Sequence, residues 1–336
     1  MAMMERKGKP LALVTGATGF IGSHLAENLL EKGYRVRALV RTTSDLKWLK
    51  GLELDLAYGS FDDQASLADA VKDVDCIFHI AAAKSGSRRK LFQDNVAATE
   101  SLARAAIGSA PGLKRLVFLS SQAAAGPAEC MGAPKCESDQ CRPISDYGRS
   151  KLEAELQMNK LGDKLPLTII RPPTVYGPRD SDVYLYFKWI NRGLALLPGF
   201  KKRYIHLIYV KDLTQGMIAA AESEASAGRT YFLSDPEDYS WQEISSAIAR
   251  SLGKKPLALH LPLELARFSA VLAEAGAWAV RKESIFNRQK VREMSQSFWT
   301  CSPERAKHDF GFTCRYALDK GMEETSRWYR GNGWLK

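Results

Sequence analysis

Through the first half of the chain, short apolar runs alternate with segments whose apolar residues recur at helical spacing. The runs Leu11–Thr15, Arg35–Val40, Asp55–Tyr58, Cys76–Ile80, Arg115–Ser120 and Leu167–Arg171 read as strands. Helices are expected between them at about 20–32, 63–72, 91–109 and 146–161. Such alternation builds a parallel sheet covered on both faces, so the fold class is α/β with a doubly wound sheet. In sheets of this kind ligands bind outside the carboxyl ends of the strands.

The second half changes character. Residues 172–204 are rich in Pro, Gly and aromatic side chains. Ile205–Val210 and Thr230–Leu233 read as short strands with a helix at about 211–224 between them. Further helices are expected at Trp241–Leu252, Pro262–Arg281 and Leu318–Tyr329. The segment at 262–281 carries Leu263, Leu265, Phe268, Val271, Leu272, Ala275 and Trp278, with Glu264, Arg267 and Glu274 between them. It is too charged to span a bilayer. Packing of its apolar face on its own protein is the reading taken, and contact with a membrane surface is the alternative.

Composition narrows the function classes. The chain has 336 residues, 45% of them hydrophobic, and a net charge of +10. That length suits one large α/β unit plus a smaller lobe. The basic residues are dispersed, and the runs Arg88–Lys90 and Lys201–Arg203 lack interleaved aromatics, so they read as solvated surface and no nucleic-acid partner is expected. Residues 1–9 read as a short polar tail, with no secretory signal and no run of 18 apolar residues. Cys130, Cys136 and Cys141 share one loop without a Cys-x-x-Cys pair or a nearby His, so reduced thiols and no metal are expected, in the cytoplasm.

Three features carry chemistry. Gly16, Gly19 and Gly22 lie between the first strand and the first helix. Glycines there let the backbone approach a dinucleotide pyrophosphate, and the N–H groups of the helix start face its charge. Tyr147 and Lys151 are four residues apart on one helix face. A phenol titrates near pH 10, and a neighbouring ammonium favours the phenolate and brings it toward the working range. The pair Ser120-Ser121 closes a strand and offers a hydroxyl beside that phenol.

The segments TGATGFIG (Thr15–Gly22), FHIAA (Phe78–Ala82), YGRSK (Tyr147–Lys151) and RPPTVYGP (Arg171–Pro178) resemble the extended short-chain dehydrogenase/reductase superfamily, in its NAD-dependent epimerase/dehydratase group. The resemblance implies a Rossmann sheet on residues 9–172 plus about 205–233 that binds the dinucleotide. It implies a smaller C-terminal α/β substrate lobe on about 173–204 and 234–336. It implies Tyr147 as general acid/base, Lys151 as its electrostatic partner and ribose anchor, and Ser121, rather than Ser120, as the substrate-oxygen donor. Cofactor contacts are implied for Gly16, Thr18, Gly19, Phe20, Ile21, Gly22, Ala81, Ala82, Asn95, Tyr147, Lys151 and Pro172. Asn95 also holds a turn or the middle strand, and His79 is a partly buried residue lining the cofactor edge. Substrate contacts are implied for Ser121, Gln122, Tyr147 and Thr174. Asp62 is placed near the adenine, although Gly59-Ser60 departs from the usual Gly-Asp there, and Ala98 replaces a family glycine. A homodimer and a small-molecule substrate are implied as well.

Residues also separate the possible cofactors and reactions. The second strand ends in Leu39-Val40-Arg41-Thr42-Thr43-Ser44, with no acid before Asp45. Arg41 suits a 2′-phosphate, with Arg37 a weaker candidate, so NADP is favoured over NAD. Gln122 and Ala123 stand where the family's dehydratases carry Asp-Glu, which disfavours dehydration. Arg171-Pro172-Pro173-Thr174 replaces the Arg-Tyr-Phe-Asn of nucleotide-sugar epimerases. The reading taken is an NAD(P)-dependent oxidoreductase moving a hydride between the nicotinamide and a carbinol or ketone carbon of a bulky substrate. A nucleotide-sugar 4-epimerase with retained NAD is the alternative. A non-catalytic relative is disfavoured because Tyr147 and Lys151 are both present. Tyr176, Tyr184, Tyr186, Phe187, Trp189 and Phe200 read either as lobe core or as an apolar wall for the substrate.

Overall fold

Seven strands form one parallel sheet, as the alternation of runs requires. In chain order they are β1 (Leu11–Thr15), β2 (Arg35–Val40), β3 (Asp55–Tyr58), β4 (Cys76–His79), β5 (Arg115–Leu119), β6 (Leu167–Arg171) and β7 (Arg229–Phe232). Their order across the sheet is β3-β2-β1-β4-β5-β6-β7. β1, β5 and β6 are buried along their whole length, which is why they appear in the sequence as unbroken apolar runs. Helices α1 (Phe20–Glu31), α2 (Gln64–Val71), α3 (Ala98–Ser109), α4 (Asp146–Asn159) and α5 (Val210–Glu222) connect them. One core gathers Leu25, Leu29, Val36 and Met217, and a second gathers Leu67, Leu102, Leu116 and Met158. The chain steps outward one way from β1 and the other way from β4, so a crevice opens between these two strands at their carboxyl ends. The computed structural model describes residues 8–279 and 287–335. Residues 1–7 of the expected tail, residues 280–281 of the expected helix, and the side chains of Ala275 and Trp278 lie outside the described residues.

The helix expected at 91–109 is present but widened. A short α-helix at Arg88–Phe92 runs through a π-helical turn at Gln93–Ala97 into α3 at Ala98. The wide turn carries Asn95, whose amide bonds described below need this placement. The strand expected at 205–210 is two strands, and neither joins the large sheet. Tyr204–Ile205 pairs with Tyr239–Ser240 and Phe298–Trp299, whereas Leu207–Tyr209 pairs with Thr174–Tyr176. Between them the buried His206 ties its Nε2 to Asp238 at 2.8 Å, while its backbone N–H donates to Trp299 O. Among the strands not expected, Leu194–Pro198 and Leu257–Leu261 pair in parallel, and every residue of the second is exposed.

The lobe core gathers Phe187, Ile190, Ile244, Ile248, Met322 and Tyr329. It is built on α6 (Trp241–Leu252), which starts at a Ser240–Glu243 capping box and ends at Gly253 in the left-handed region. Tyr176 and Phe187 are fully buried, Tyr186 stacks on Trp241 at 5.2 Å, and Trp189 and Phe200 remain exposed. The six aromatics are therefore part core and part surface. Helix α7 (Leu263–Ala279) departs from expectation. It turns Ala270 inward and leaves Leu265, Phe268, Val271 and Leu272 exposed. Arg203, expected on solvated surface, is buried and donates Nη1 to Pro198 O at 2.6 Å and to Lys201 O at 3.0 Å.

A buried ion pair fastens α4 to the end of β6. Arg171 Nε donates to Glu155 Oε1 at 2.9 Å, its Nη2 donates to Glu155 Oε2, and Ser120 Oγ donates to Glu155 Oε1. The side chains of Arg171 and Glu155 are 7% and 2% exposed. Removing one partner strands the other charge in the core. Arg171→Met is therefore expected to lower the unfolding free energy by about 3–5 kcal/mol in urea denaturation, and Arg171→Met/Glu155→Leu by clearly less.

Candidate functional site

The glycine turn sits at the mouth of the crevice. Gly16 has φ 73°, and a Cβ there would lie 2.8 Å from Ala81 N, so only glycine lets β1 and the loop after β4 come this close. A Cβ on Gly22 would lie 2.1 Å from Gly16 O. Gly19 accepts the first bond of α1 from Ser23, and no side chain caps its first turn. Uncapped N–H groups at Phe20 and Ile21 beside a close backbone are what a pyrophosphate needs. Thr18 is half-buried and Gly19 exposed on this turn.

Beneath the turn runs a chain of hydrogen bonds whose direction can be assigned. Thr99 Oγ1 donates to Asn95 O at 2.6 Å, so it accepts from His79 Nε2 at 2.9 Å. His79 Nδ1 is then an acceptor, and Thr15 Oγ1 donates to it at 2.8 Å. Thr15 Oγ1 in turn accepts the N–H groups of Ile80 and Ala81 at 3.2 and 3.3 Å. His79 is buried rather than partly buried, and burial, with the charge of Lys151, pushes its pKa down to about 3. It is a neutral imidazole that joins β1 to β4 and has no free nitrogen for catalysis. Asn95 Oδ1 accepts Ala83 N–H at 2.7 Å, while its Nδ2 donates to Ala83 O at 3.0 Å and to Ser150 Oγ at 2.9 Å. Ser150 Oγ donates to Tyr147 O at 2.8 Å. The Asn95 amide thus holds the loop after β4 against α4, and all three of its bonds go to protein.

At the end of β5, Ser120 is buried and engaged by Glu155, which leaves Ser121 as the hydroxyl beside Tyr147. Ser121 Oγ accepts Ala123 N–H at 3.1 Å. Burial raises the Tyr147 pKa, and the charge of Lys84 and the neighbouring Ser121 hydroxyl pull it back. Lys84 reaches from the loop after β4 to Asp182 at 3.1 Å. Lys151 lies one turn beyond Tyr147, but its Nζ donates to Leu119 O at 2.7 Å and rests 4.6 Å from the Phe118 ring centre. Lys84 is a cation whose charge lowers the Tyr147 pKa.

The remaining candidates divide. Ala81 and Ala82 line the crevice, half-buried and exposed. Pro172 is buried with its carbonyl accepting Gln122 N–H at 2.8 Å. Gln122 Nε2 is buried with no hydrogen-bond partner among the described residues, a donor left for a ligand. Thr174 is exposed at the start of its strand, and Asp62 is exposed on the β3–α2 loop. Arg41 is exposed, with its backbone N–H on Ser44 Oγ at 3.1 Å. Arg37 is not available to a cofactor, because its Nη1 donates to Ala70 O and Lys72 O at 2.8 Å and so closes the C-terminal end of α2. Glu155 and Lys84 are absent from the sequence-derived site. Glu155 had a signal, since Tyr147, Lys151 and Glu155 repeat every four residues along one face of α4.

Burial depresses Lys151 from 10.5 to about 7, with Glu155 opposing. Between those two values the unfolded chain holds the proton that the folded protein has lost, so native stability rises with pH across that window. Below about pH 7 the buried ammonium carries its full penalty. Lys151→Met is therefore expected to be more stable than wild type at about pH 6, and the difference should shrink toward pH 10, measured by urea denaturation at each pH. A difference that stays constant over this range would contradict a depressed Lys151.

Residues 12–233 match the model of the NAD dependent epimerase/dehydratase family. The chain is 28% identical to a ceramide reductase of Caulobacter vibrioides over 99% of this chain and 98% of that protein. It is 29% identical to a UDP-glucose 4-epimerase of Vibrio cholerae over 78% of this chain and 82% of that protein. The crystal structure of gox2253 superposes with a TM-score of 0.81 at 29% identity, covering 98% of this chain and all of the other. With the glycine turn, the Ser121–Tyr147 pair and the parallel sheet in place, the chain belongs to the NAD dependent epimerase/dehydratase family.

Proposed function

We propose that this protein is an NAD(P)-dependent oxidoreductase acting on a carbinol or ketone carbon of a bulky, largely apolar small molecule. The observation that carries this reading is that Ser121, at the end of β5, and Tyr147, on α4, are neighbours whose hydroxyls act on each other, next to the crevice of the glycine turn. The nicotinamide, when bound, supplies or accepts the hydride. In the direction of reduction, Ser121 holds the carbonyl oxygen and Tyr147 gives it the phenolic proton; oxidation runs the same transfer backward. Burial keeps the phenol protonated at neutral pH, and the charge of Lys84 with the Ser121 hydroxyl stabilises the phenolate left behind. Lys151, fixed on Leu119 O, is the candidate ribose anchor. Gln122 is the candidate second donor to the substrate.

Arg41 supports NADP, since its guanidinium is exposed beyond β2 and no carboxylate lies within ion-pair distance of it among the described residues. The likeness to a ceramide reductase supports a bulky apolar substrate. Residues 9–172 with about 205–233 are the proposed dinucleotide unit, and the remainder the substrate lobe. A homodimer through α3 and α4 is in keeping with Ile107 and Leu156, which those helices leave exposed. The free thiols favour the cytoplasm.

Tyr147→Phe is expected to lose about 100-fold or more in kcat on a ketone substrate while NADPH binding, followed by fluorescence, stays unchanged. Undiminished turnover would refute the role of Tyr147. Arg41→Ala is expected to weaken NADPH binding about ten-fold and leave NADH nearly unaffected. A tightly retained NAD in purified protein, with no response to either added reduced cofactor, would favour the 4-epimerase instead.

A further inference from the structure

Helix α7 has its amphipathicity inverted for a helix of a water-facing lobe. Its small residue Ala270 is buried, whereas Leu265, Phe268, Val271 and Leu272 are 45–61% exposed along one stripe. The chain reaches α7 directly from the exposed strand Leu257–Leu261. That strand ends against the loop carrying Phe200, which is 74% exposed and stacks on His260 at 5.6 Å. A contiguous apolar stretch of this kind on a single chain marks an interaction surface.

The charge around it points to one occupant. Lys201 and Lys202 follow Phe200, Lys254 and Lys255 precede the strand, and Arg267 lies within the stripe. All five are exposed, and none is within ion-pair distance of a carboxylate among the described residues. Of the two acids of α7, Glu274 is paired with Arg288 at 2.8 Å and Glu264 is exposed in the first turn, so the five cations outnumber the one carboxylate of the helix left unpaired among the described residues. Bulky apolar side chains framed by unpaired cations match an anionic bilayer surface, where the side chains enter the acyl boundary and the cations meet the headgroups. Among the described residues no helix is long and apolar enough to cross a membrane, so the contact lies in the plane of the surface.

The face also adjoins the proposed chemistry. Arg288 opens helix α8 (Arg288–Met294), whose Gln289 accepts Asp146 N–H at 2.6 Å and donates to Asp146 Oδ2 at 2.7 Å. Asp146 immediately precedes Tyr147, and Glu293 of α8 is among the charges acting on the phenol. We propose that α7 and the Leu257–Leu261 strand dock this protein on an anionic lipid bilayer, and that its substrate is a lipid taken up from that surface beside α8. The identity of the substrate rests on the oxidoreductase reading, but the docking does not.

The test is flotation of the full-length protein with vesicles, which needs no turnover. The vesicles contain about 30% phosphatidylglycerol in phosphatidylcholine, or phosphatidylcholine alone. Wild type is expected to float with the anionic vesicles about ten-fold more than with neutral ones, and less as salt rises. Phe268→Glu/Leu272→Glu should abolish flotation, and Lys201→Glu/Lys202→Glu should remove the preference for anionic vesicles, with circular dichroism unchanged in both. Either of two results would overturn the proposal. One is wild type that stays at the bottom of the gradient, or floats equally with both variants. The other is a wild-type dimer in sedimentation velocity that Phe268→Glu/Leu272→Glu dissociates, which would assign the face to a second copy of the chain.

Discussion

A neutral imidazole buried at the end of β4 joins every part of the candidate site. His79 accepts from Thr15 on β1 and donates to Thr99 on α3, and Thr99 passes the chain on to the backbone of Asn95. The Asn95 amide then grips both the loop after β4 and, through Ser150, the helix that carries Tyr147. The glycine turn is thereby held in register with the helix that carries Tyr147, although they are far apart in sequence. The constraint holds only while the imidazole is uncharged, because a second ring proton would meet the Thr15 hydroxyl as donor against donor. Desolvation keeps it in that state.

A second buried polar group lies under the same edge. Glu155 receives Arg171 and the Ser120 hydroxyl, so the ends of β5 and β6 and the face of α4 move as one body. Lys151 is enclosed beside this group, on Leu119 O and the Phe118 ring. Enclosing an ammonium this completely weakens the native state. The protein therefore keeps an unfavourable group where the chemistry is proposed and compensates with satisfied bonds around it. Ser121 and Gln122 stand outside that closure, Ser121 beside Tyr147 and Gln122 with an amide nitrogen that has no partner among the described residues.

The two ends of the molecule solve burial differently. The sheet encloses its apolar runs on both faces, whereas the lobe closes a core on α6 and α9 (Leu318–Gly331) and then leaves α7 with its large side chains outward. Helix α8 bridges these regimes, tied to α7 by Arg288–Glu274 and to the start of α4 by Gln289–Asp146. Helix α8 thus lies between the exposed apolar face and the start of the helix that carries Tyr147.

Much of this was legible in the residues themselves. The strands β1, β2, β3 and β6 carry the expected bounds; β1 and β6, buried throughout, leave an unbroken apolar run, whereas β3 is a half-exposed edge strand. The glycine turn was equally legible, since contacts as close as that of Gly22 with Gly16 O exclude any side chain. Long-range polar pairing was not. No local pattern says that Arg37 serves the end of α2 rather than a cofactor, that Lys84 comes near enough to act on Tyr147, or that Glu155 engages Ser120 and Arg171. Nor does the period of α7 tell which way its stripe faces, because an apolar helix face fits a core and a membrane surface equally well. Local sterics and periodicity were enough to mark out the sheet and the close glycine turn, and the family resemblance to name the candidate reacting side chains. Partners and exposure emerged only on folding, because they depend on which distant segments arrive at the same place.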